Sequence, residues 1–193
     1  MNKQELRARY LAKRKGLTAE ACSLFNIQLY NRFFSSVDLS FVHVVHTYLP
    51  IQKNNEPDTW MILDRIRREF PHIRISLPRI ADDGEMENLY FEGLHQLRTN
   101  NLGIQEPQQG VPTPVEKIDM VLVPLVAVDQ SGHRVGYGKG YYDRFLNKCQ
   151  PDCKKIGLSF FEAVDQVSDA GPLDVKLDAC LTPERTLNFT DLP

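Results

Sequence analysis

The chain has 193 residues, of which 42% are hydrophobic and 25% charged, and its formal net charge is −2. This composition is typical of a globular protein rather than a disordered one, and a near-neutral charge gives no general basic field for nucleic acid. Four cysteines are too few for a disulfide scaffold, and the longest apolar run, residues 121–128, is too short to span a membrane. We expect one domain over residues 1–193. We further expect a cytoplasmic monomer that binds neither membranes nor nucleic acid.

In the N-terminal half, helix and strand patterns alternate. The first helix is predicted over residues 3–15 and ends at Gly16, and Thr18 caps a second helix that extends to about Phe34. The apolar stripe of that second helix consists of Ala21, Leu24, Phe25, Leu29 and Phe33. The elements predicted next are a strand at 41–48 stopped by Pro50, a helix from Asp58 or Thr59 to Phe70, and a strand at 73–77 ended by Pro78.

In the C-terminal half, turn-rich segments separate short strands. Two weaker strands, 85–91 and 94–98, flank Gly93, and residues 99–117, with three prolines and two glycines, form a long loop. The remaining predicted elements are a buried strand at 118–123, a loop at 136–140, a helix at 141–149, and strands at 154–159 and 178–181. Strands that alternate with helices predict an α/β fold with a mostly parallel sheet.

A glycine-rich segment at residues 136–140 precedes the last predicted helix and holds three of the eleven glycines. Glycines let backbone N–H groups approach an anion, and a helix N-terminus adds partial positive charge. Lys139 and Arg144 could add full charges. The spacing matches neither the GxxxxGK[ST] loop nor the GxGxxG fingerprint. From spacing alone, phosphate binding and a tight loop that merely needs positive φ both remain open.

Six cations and one glutamate occupy residues 1–15. On a helical wheel Lys3, Arg7 and Arg14 fall within about 40° of one another, in the middle of an otherwise apolar face. Unpaired cations are costly to bury, so this stripe predicts internal carboxylates or a ligand phosphate as partners, unless the long side chains reach water. Arg9 and Lys15 point elsewhere and are expected to be solvated.

Two aspartates, Asp143 after the glycines and Asp178 near the last predicted strand, are candidate Mg²⁺ ligands, although an aspartate alone is more often a helix cap or a surface charge. No zinc spacing accompanies Cys149 and Cys153, and no G-x-S-x-G or cysteine nucleophile motif is present. His43 and His46 lie three apart on a strand, so they point to opposite faces and are poor co-ligands.

Taken together, these motifs resemble the 5-formyltetrahydrofolate cyclo-ligase family over nearly the whole chain. The most specific string is Gly136-Tyr137-Gly138-Lys139-Gly140-Tyr141-Tyr142-Asp143-Arg144. The supporting segments are Lys3-x₂-Leu6-Arg7 with Arg14, Val123-Pro124, Tyr48-Leu49-Pro50 followed by Glu56, and Asp174-x₃-Asp178. The loop at 51–55 departs from the family pattern.

The resemblance implies a three-layer α/β/α domain and an enzyme that uses ATP and Mg²⁺ to close 5-formyltetrahydrofolate to 5,10-methenyltetrahydrofolate. The ATP-binding residues it implies are Lys3, Arg7, Arg14, Gly136, Tyr137, Gly138, Lys139, Gly140, Tyr141, Tyr142, Asp143 and Arg144. The folate-binding residues it implies are Glu56, Lys139, Gly140 and Tyr141, with Lys139 and Tyr141 also catalytic. Asp143 and Asp178 correspond to its Mg²⁺ ligands. The alternative is a repurposed or non-catalytic relative that binds folate or nucleotide on the same scaffold.

Overall fold

The computed structural model describes residues 1–81, 84–100 and 103–190. Within these ranges the α-helices are α1 (Lys3–Lys15), α2 (Ala19–Ser36), α3 (Trp60–Glu69) and α4 (Tyr141–Leu146). The strands are β1 (Val44–His46), β2 (Arg74–Ile80), β3 (Met86–Tyr90), β4 (Leu97–Thr99), β5 (Gln105–Pro107), β6 (Met120–Val123), β7 (Ala127–Val128), β8 (Arg134–Val135), β9 (Lys154–Leu158), β10 (Ala179–Leu181) and β11 (Thr186–Asn188). None of the described helices is long and apolar enough to cross a membrane.

Seven strands form the main sheet, in the order β11-β10-β9-β6-β1-β2-β3. The five central strands run parallel, and β11 and β3 pair antiparallel at the two edges. Two separate ribbons, β4 with β5 and β7 with β8, flank this sheet. The predicted α/β fold with a mixed, mostly parallel sheet is confirmed.

Helices cover both faces of the sheet. Consecutive residues of a strand point to opposite sides, so neighbouring residues of one strand belong to different cores. On one face Val45 and Leu122 join the core that α2 and α3 bury. On the other face Val44 and Val121 pack with Phe145 of α4. The central strands are therefore apolar on both sides, as parallel strands between two helical layers must be.

The first two helices follow the sequence prediction closely. Asn2 and Glu5 form a capping box at the start of α1, whose last residue is followed by Gly16. The Thr18 hydroxyl accepts a hydrogen bond from the Ala21 amide and caps α2. One residue of the predicted stripe is wrong, because Leu24 is 54% exposed and α2 turns that side toward solvent.

The prediction that Pro78 ends the second strand is wrong. Strand β2 continues to Ile80, with Pro78 opposite Asn88 of β3 and past the last β1 pair, His46 with Ser76. Among the described strands, none pairs with β2 on that side beyond Ser76, so the missing proline N–H leaves no ladder hydrogen bond unmade there.

Several other boundaries also differ from the prediction. The strand predicted at 41–48 shrinks to β1, the helix at 141–149 shrinks to α4, and residues 94–96 form a 3₁₀ turn before β4. Strands β5, β7, β8 and β11 were not predicted. These strands have two or three residues each, so they are too short for a periodic pattern to mark them. Residues 101 and 102 of the predicted long loop lie outside the described residues.

Candidate active site

Apart from Asp178, the predicted site residues gather where parallel strands β1 and β6 end. Glu56 follows β1, Leu125 follows β6, and the glycine segment 136–140 connects β8 to α4. Helix α1 crosses this end of the sheet, with Leu6 and Tyr10 packed against the β7–β8 ribbon. Open α/β sheets commonly bind ligands at the carboxyl ends of their strands.

Arg7 and the glycine segment are built around each other. Arg7 Nε donates a hydrogen bond of 2.8 Å to the carbonyl oxygen of Gly136. Gly138 has φ of +91°, and a Cβ added there would lie 3.2 Å from the Arg7 guanidinium carbon. Glycine is therefore needed at 138 for its backbone conformation and for the close approach of the cation.

Lys3 lies one helical turn before Arg7 and is paired with an acid far along the chain. Its ammonium is 2.6 Å from Asp174 Oδ2, and both side chains are partly exposed. Burial acts to raise the pKa of Asp174, but hydrogen bonds from Lys3 and the Gly171 amide, together with Arg134, hold that pKa below its usual value. Asp174 is thus an ionised carboxylate at this surface. We call Lys3, Arg7, Gly138 and Asp174 the outer layer of the site.

Asp143, at the start of α4, is held by a buried arginine. Arg134 Nη2 donates a 2.8 Å hydrogen bond to Asp143 Oδ1, which also accepts from the Val175 amide at 3.2 Å. Arg134 is 6% exposed and acts electrostatically on Asp174 as well. Four side chains therefore form a row in which positive and negative charges alternate: Lys3, Asp174, Arg134 and Asp143.

Arg134 is a site residue that the sequence analysis missed. A buried carboxylate supports its position: Asp129 accepts hydrogen bonds from the amides of Ser131 and His133 and holds the turn between β7 and β8. The available signal was a lone arginine between two glycines, Gly132 and Gly136, outside any predicted helix or strand.

Asp178 has different surroundings. Its carboxylate accepts a 2.7 Å hydrogen bond from the Lys155 amide and lies 3.5 Å from the Lys155 ammonium. Both residues lie where the parallel strands β9 and β10 begin, whereas the glycine segment lies at their opposite end. Over the described residues, no three metal-ligating side chains come together. Asp178 thus contacts Lys155, whereas Asp143 is bound by Arg134 and by the amide of Val175, the neighbour of Asp174 in sequence.

A second set of polar residues lies beneath the glycine segment. Glu56 is 7% exposed; its Oε1 accepts from the Tyr137 hydroxyl and its Oε2 from the Ile51 amide at 2.6 Å. The Tyr137 hydroxyl in turn accepts from Arg14 Nη2. Burial raises the pKa of Glu56, and the hydrogen bonds and the Arg14 charge oppose that rise.

Arg14 occupies the same helical face as Lys3 and Arg7, but it is only 3% exposed. Its Nη1 donates to the Leu125 carbonyl at 3.1 Å, so two of its guanidinium nitrogens are engaged inside the protein. This geometry does not favour the predicted contact of Arg14 with ATP.

His46, the last residue of β1, is fully buried next to Tyr142 and Phe145, with ring centroids 6.0 Å and 4.6 Å away. Burial lowers the pKa of His46 to about 3, although Asn88 acts in the opposite direction. The imidazole is therefore neutral at physiological pH. We call Arg14, Glu56, Tyr137 and His46 the inner layer of the site.

The remaining predicted residues surround the open side of the glycine segment. Lys139 is exposed, and its carbonyl oxygen accepts from Arg144 Nη1 at 3.3 Å. The Arg144 guanidinium lies 5.3 Å from the ring centre of Tyr141. A cavity of about 60 Å³ next to Tyr141 is lined by Met86, Asn88, Val115 and Phe145, among others. It has room for roughly two water molecules.

A family profile described as the 5-formyltetrahydrofolate cyclo-ligase family matches residues 1–183. The chain is 26% identical over 176 residues to a 5-formyltetrahydrofolate cyclo-ligase of Escherichia coli, covering 90% of this chain and 96% of that protein. It is 28% identical to the cyclo-ligase of Mycoplasma pneumoniae, covering 95% of this chain and 100% of the other.

Among solved structures, the fold matches a 5,10-methenyltetrahydrofolate synthetase of Aquifex aeolicus with a TM-score of 0.83 at 27% identity, over 100% of this chain and 95% of that one. A synthetase from Mycoplasma pneumoniae matches with a TM-score of 0.74 at 25% identity, over 98% of this chain and 100% of that one. Both structures carry names for the same enzymatic conversion.

Proposed function

The chain belongs to the 5-formyltetrahydrofolate cyclo-ligase family, and we propose that it is an ATP- and Mg²⁺-dependent ligase that forms the ring of 5,10-methenyltetrahydrofolate. The observation that carries the proposal is the pairing of the glycine segment with Arg7 at the strand ends, directly above the buried carboxylate of Glu56. This reaction needs two elements side by side. One is a positively charged site for the phosphates of ATP, and the other is a carboxylate that binds the folate ring.

The reaction is difficult because the substrate offers a weak electrophile and a poor leaving group. The N5-formyl carbon resembles an amide carbonyl, and ring closure must finally expel its oxygen. Transfer of the γ-phosphoryl group to the formyl oxygen forms a P–O bond and releases ADP. N10 then attacks the activated carbon, loses its proton, and phosphate departs. The protein supplies position and charge neutralisation rather than a nucleophile.

The outer layer is suited to the phosphates. Arg7, fixed against Gly136, and Lys3 provide positive charge on one face of α1, and Lys139 is exposed at the glycine segment. A positive cradle for a triphosphate is expected to combine backbone amides with such cations. In this proposal Lys3 exchanges part of its contact with Asp174 for a phosphate oxygen.

Asp143 fits a magnesium ion that arrives with ATP. Both hydrogen bonds found to its carboxylate, among the described residues, end on Oδ1, and the side chain is 32% exposed. Mg²⁺ typically takes one or two carboxylates and completes its shell with phosphate oxygens and water. We propose Asp143, with Asp174 nearby, as the residues that would hold it. The ion would neutralise charge that develops on the transferred phosphoryl group.

Glu56 and Tyr141 are suited to the folate. A carboxylate accepts hydrogen bonds from neighbouring N–H groups of a pterin, and an aromatic side chain offers a ring face or a hydroxyl to the same heterocycle. Lys139 and Tyr141, the two residues predicted to be catalytic, lie two positions apart in the chain, on either side of Gly140.

The test is conversion of 5-formyltetrahydrofolate by the purified protein, followed as the rise in near-ultraviolet absorbance of the methenyl product. We expect the rise only when ATP and Mg²⁺ are both present, with one ADP formed per turnover. Binding of folate and ATP without any product would instead identify a non-catalytic relative and would contradict the proposal.

A further inference from the structure

One cation of α1 has the wrong surroundings for a phosphate ligand. Arg14 is buried, donates to the Leu125 carbonyl, and reaches the Tyr137 hydroxyl. The Tyr137 hydroxyl in turn donates a hydrogen bond to the Glu56 carboxylate. The backbone of the same arginine accepts a 3.0 Å hydrogen bond from the side chain of Asn55, which directly precedes Glu56.

We propose that Arg14 is a positioning residue for folate recognition, which acts through Tyr137 to keep the Glu56 carboxylate charged and aimed at the substrate, and is not a ligand of ATP. The proposal rests on the proposed function, because it assigns Glu56 to the folate. It divides the cationic face of α1 into two roles, with Arg7 and Lys3 serving the phosphates.

The charge balance around Glu56 supports this assignment. Three tyrosines lie close enough to feel the charge of its carboxylate: Tyr48 after β1, Tyr137 in the glycine segment and Tyr142 in α4. The proximity of Glu56 raises the pKa of each phenol beyond the effect of burial, so all three are neutral. Among the described groups that act on Glu56, Arg14 is the cation. A buried carboxylate without a counterion would take up a proton instead of remaining charged.

The hydrogen bonds leave room for a ligand. Each oxygen of a carboxylate can accept about two hydrogen bonds; from the described residues, Oε1 accepts one from Tyr137 and Oε2 one from the Ile51 amide. One acceptor position on each oxygen suits two adjacent N–H donors, such as those on the edge of a pterin. The ionised form is required, because a protonated carboxyl group would present a donor to one of them.

The experiment compares Arg14→Gln, Arg14→Lys and Arg7→Gln with the wild-type enzyme, and uses Arg9→Gln as the control because Arg9 is exposed on the same helix. For Arg14→Gln we expect the KM for 5-formyltetrahydrofolate to rise by about tenfold at pH 7.5, while the KM for ATP changes less than twofold. Without the arginine the pKa of Glu56 rises, so the loss of folate affinity on acidification begins at a higher pH. Arg14→Lys, which retains the charge, is expected to restore much of the profile.

Tyr137→Phe is a second variant in case glutamine at position 14 prevents folding. It removes the hydroxyl that links the two charges and leaves the buried cation in place. We expect a rise of several-fold in the KM for folate and an unchanged KM for ATP. A direct readout is the titration of the Glu56 carboxyl carbon by NMR with ¹³C-labelled glutamate, assigned with Glu56→Gln.

A rise in the KM for ATP that equals or exceeds the rise for folate in Arg14→Gln would overturn the proposal, as would an unchanged pH profile. Wild-type protein without cyclo-ligase activity would contradict the proposed function instead. In that case the titration still decides the ion pair: a pKa of Glu56 that does not move in Arg14→Gln overturns it, and an upward shift supports it.

Discussion

The outer and inner layers of the site use the same residue types in opposite ways. In the outer layer, Lys3 and Arg7 are partly exposed and contact the surface carboxylate of Asp174 and a backbone carbonyl. In the inner layer, Arg14 and Glu56 are buried and share Tyr137 as a bridge. Water screens the first set and not the second, so the outer charges are free to meet a charged ligand while the inner charges fix one another. Burial, rather than residue type, assigns their roles.

The largest expected effect concerns His46 in the inner layer. The unfolded state binds a proton near pH 6.5, whereas the buried imidazole has a pKa of about 3, so stability rises with pH between these values and is lost as pH falls. From pH 7 to pH 4 this one group should cost about 3 kcal/mol of unfolding free energy.

Urea unfolding of His46→Leu should therefore show a flatter pH dependence over this window than wild type. His43→Leu is the control, because the His43 side chain is 74% exposed. Equal slopes for wild type and His46→Leu would show that the inner layer does not hold a neutral imidazole.

Arg7→Gln tests the outer layer. Loss of a charged donor to a phosphate costs about 1.5–3 kcal/mol, so we expect the KM for ATP to rise by roughly 10- to 100-fold. The KM for folate and the melting temperature should stay close to wild type, because the side chain is not fully buried. A larger change in folate affinity than in ATP affinity would remove the distinction between the layers.

Gly138→Ala tests the fit between the glycine segment and Arg7. An alanine with φ near +91° is strained by about 1–2 kcal/mol, and its methyl group would press on the guanidinium. We expect a lower unfolding free energy by about that amount and a several-fold higher KM for ATP. Gly103→Ala is a matched control, since that glycine has φ of +78° and no neighbouring atom within 4 Å of an added Cβ. An equal change in the KM for ATP in the two variants would contradict the fit.

The smallest effect is expected for Lys3→Gln. Ion pairs in contact with water contribute about 0–1 kcal/mol, and Lys3 and Asp174 are partly exposed, so the unfolding free energy should change by less than about 1 kcal/mol. The KM for ATP should rise only a few-fold, and the difference from wild type should shrink as salt is added. An effect that high salt leaves unchanged would place Lys3 with the inner layer.

The sequence by itself determined the features that act over a few residues. Gly16 and Thr18 set the boundary between α1 and α2, because helix caps depend on residues close in sequence. The alternation of strand and helix patterns determined the mostly parallel sheet. The glycine spacing at 136–140 marked the segment that the structure wraps around Arg7.

The tertiary structure alone decided which charges meet. Lys3 pairs with Asp174 across 171 positions, and Tyr137 contacts Glu56 across 81. Nothing in a local pattern ranks Asp174 above Asp178; the fold distinguishes them, since Asp174 pairs with Lys3 and Asp178 with Lys155. The helical wheel likewise grouped Arg14 with Arg7, because it gives the direction in which a side chain leaves the helix but not how deeply that side chain is buried. Burial depends on what packs over each side chain, and packing is a property of the whole fold.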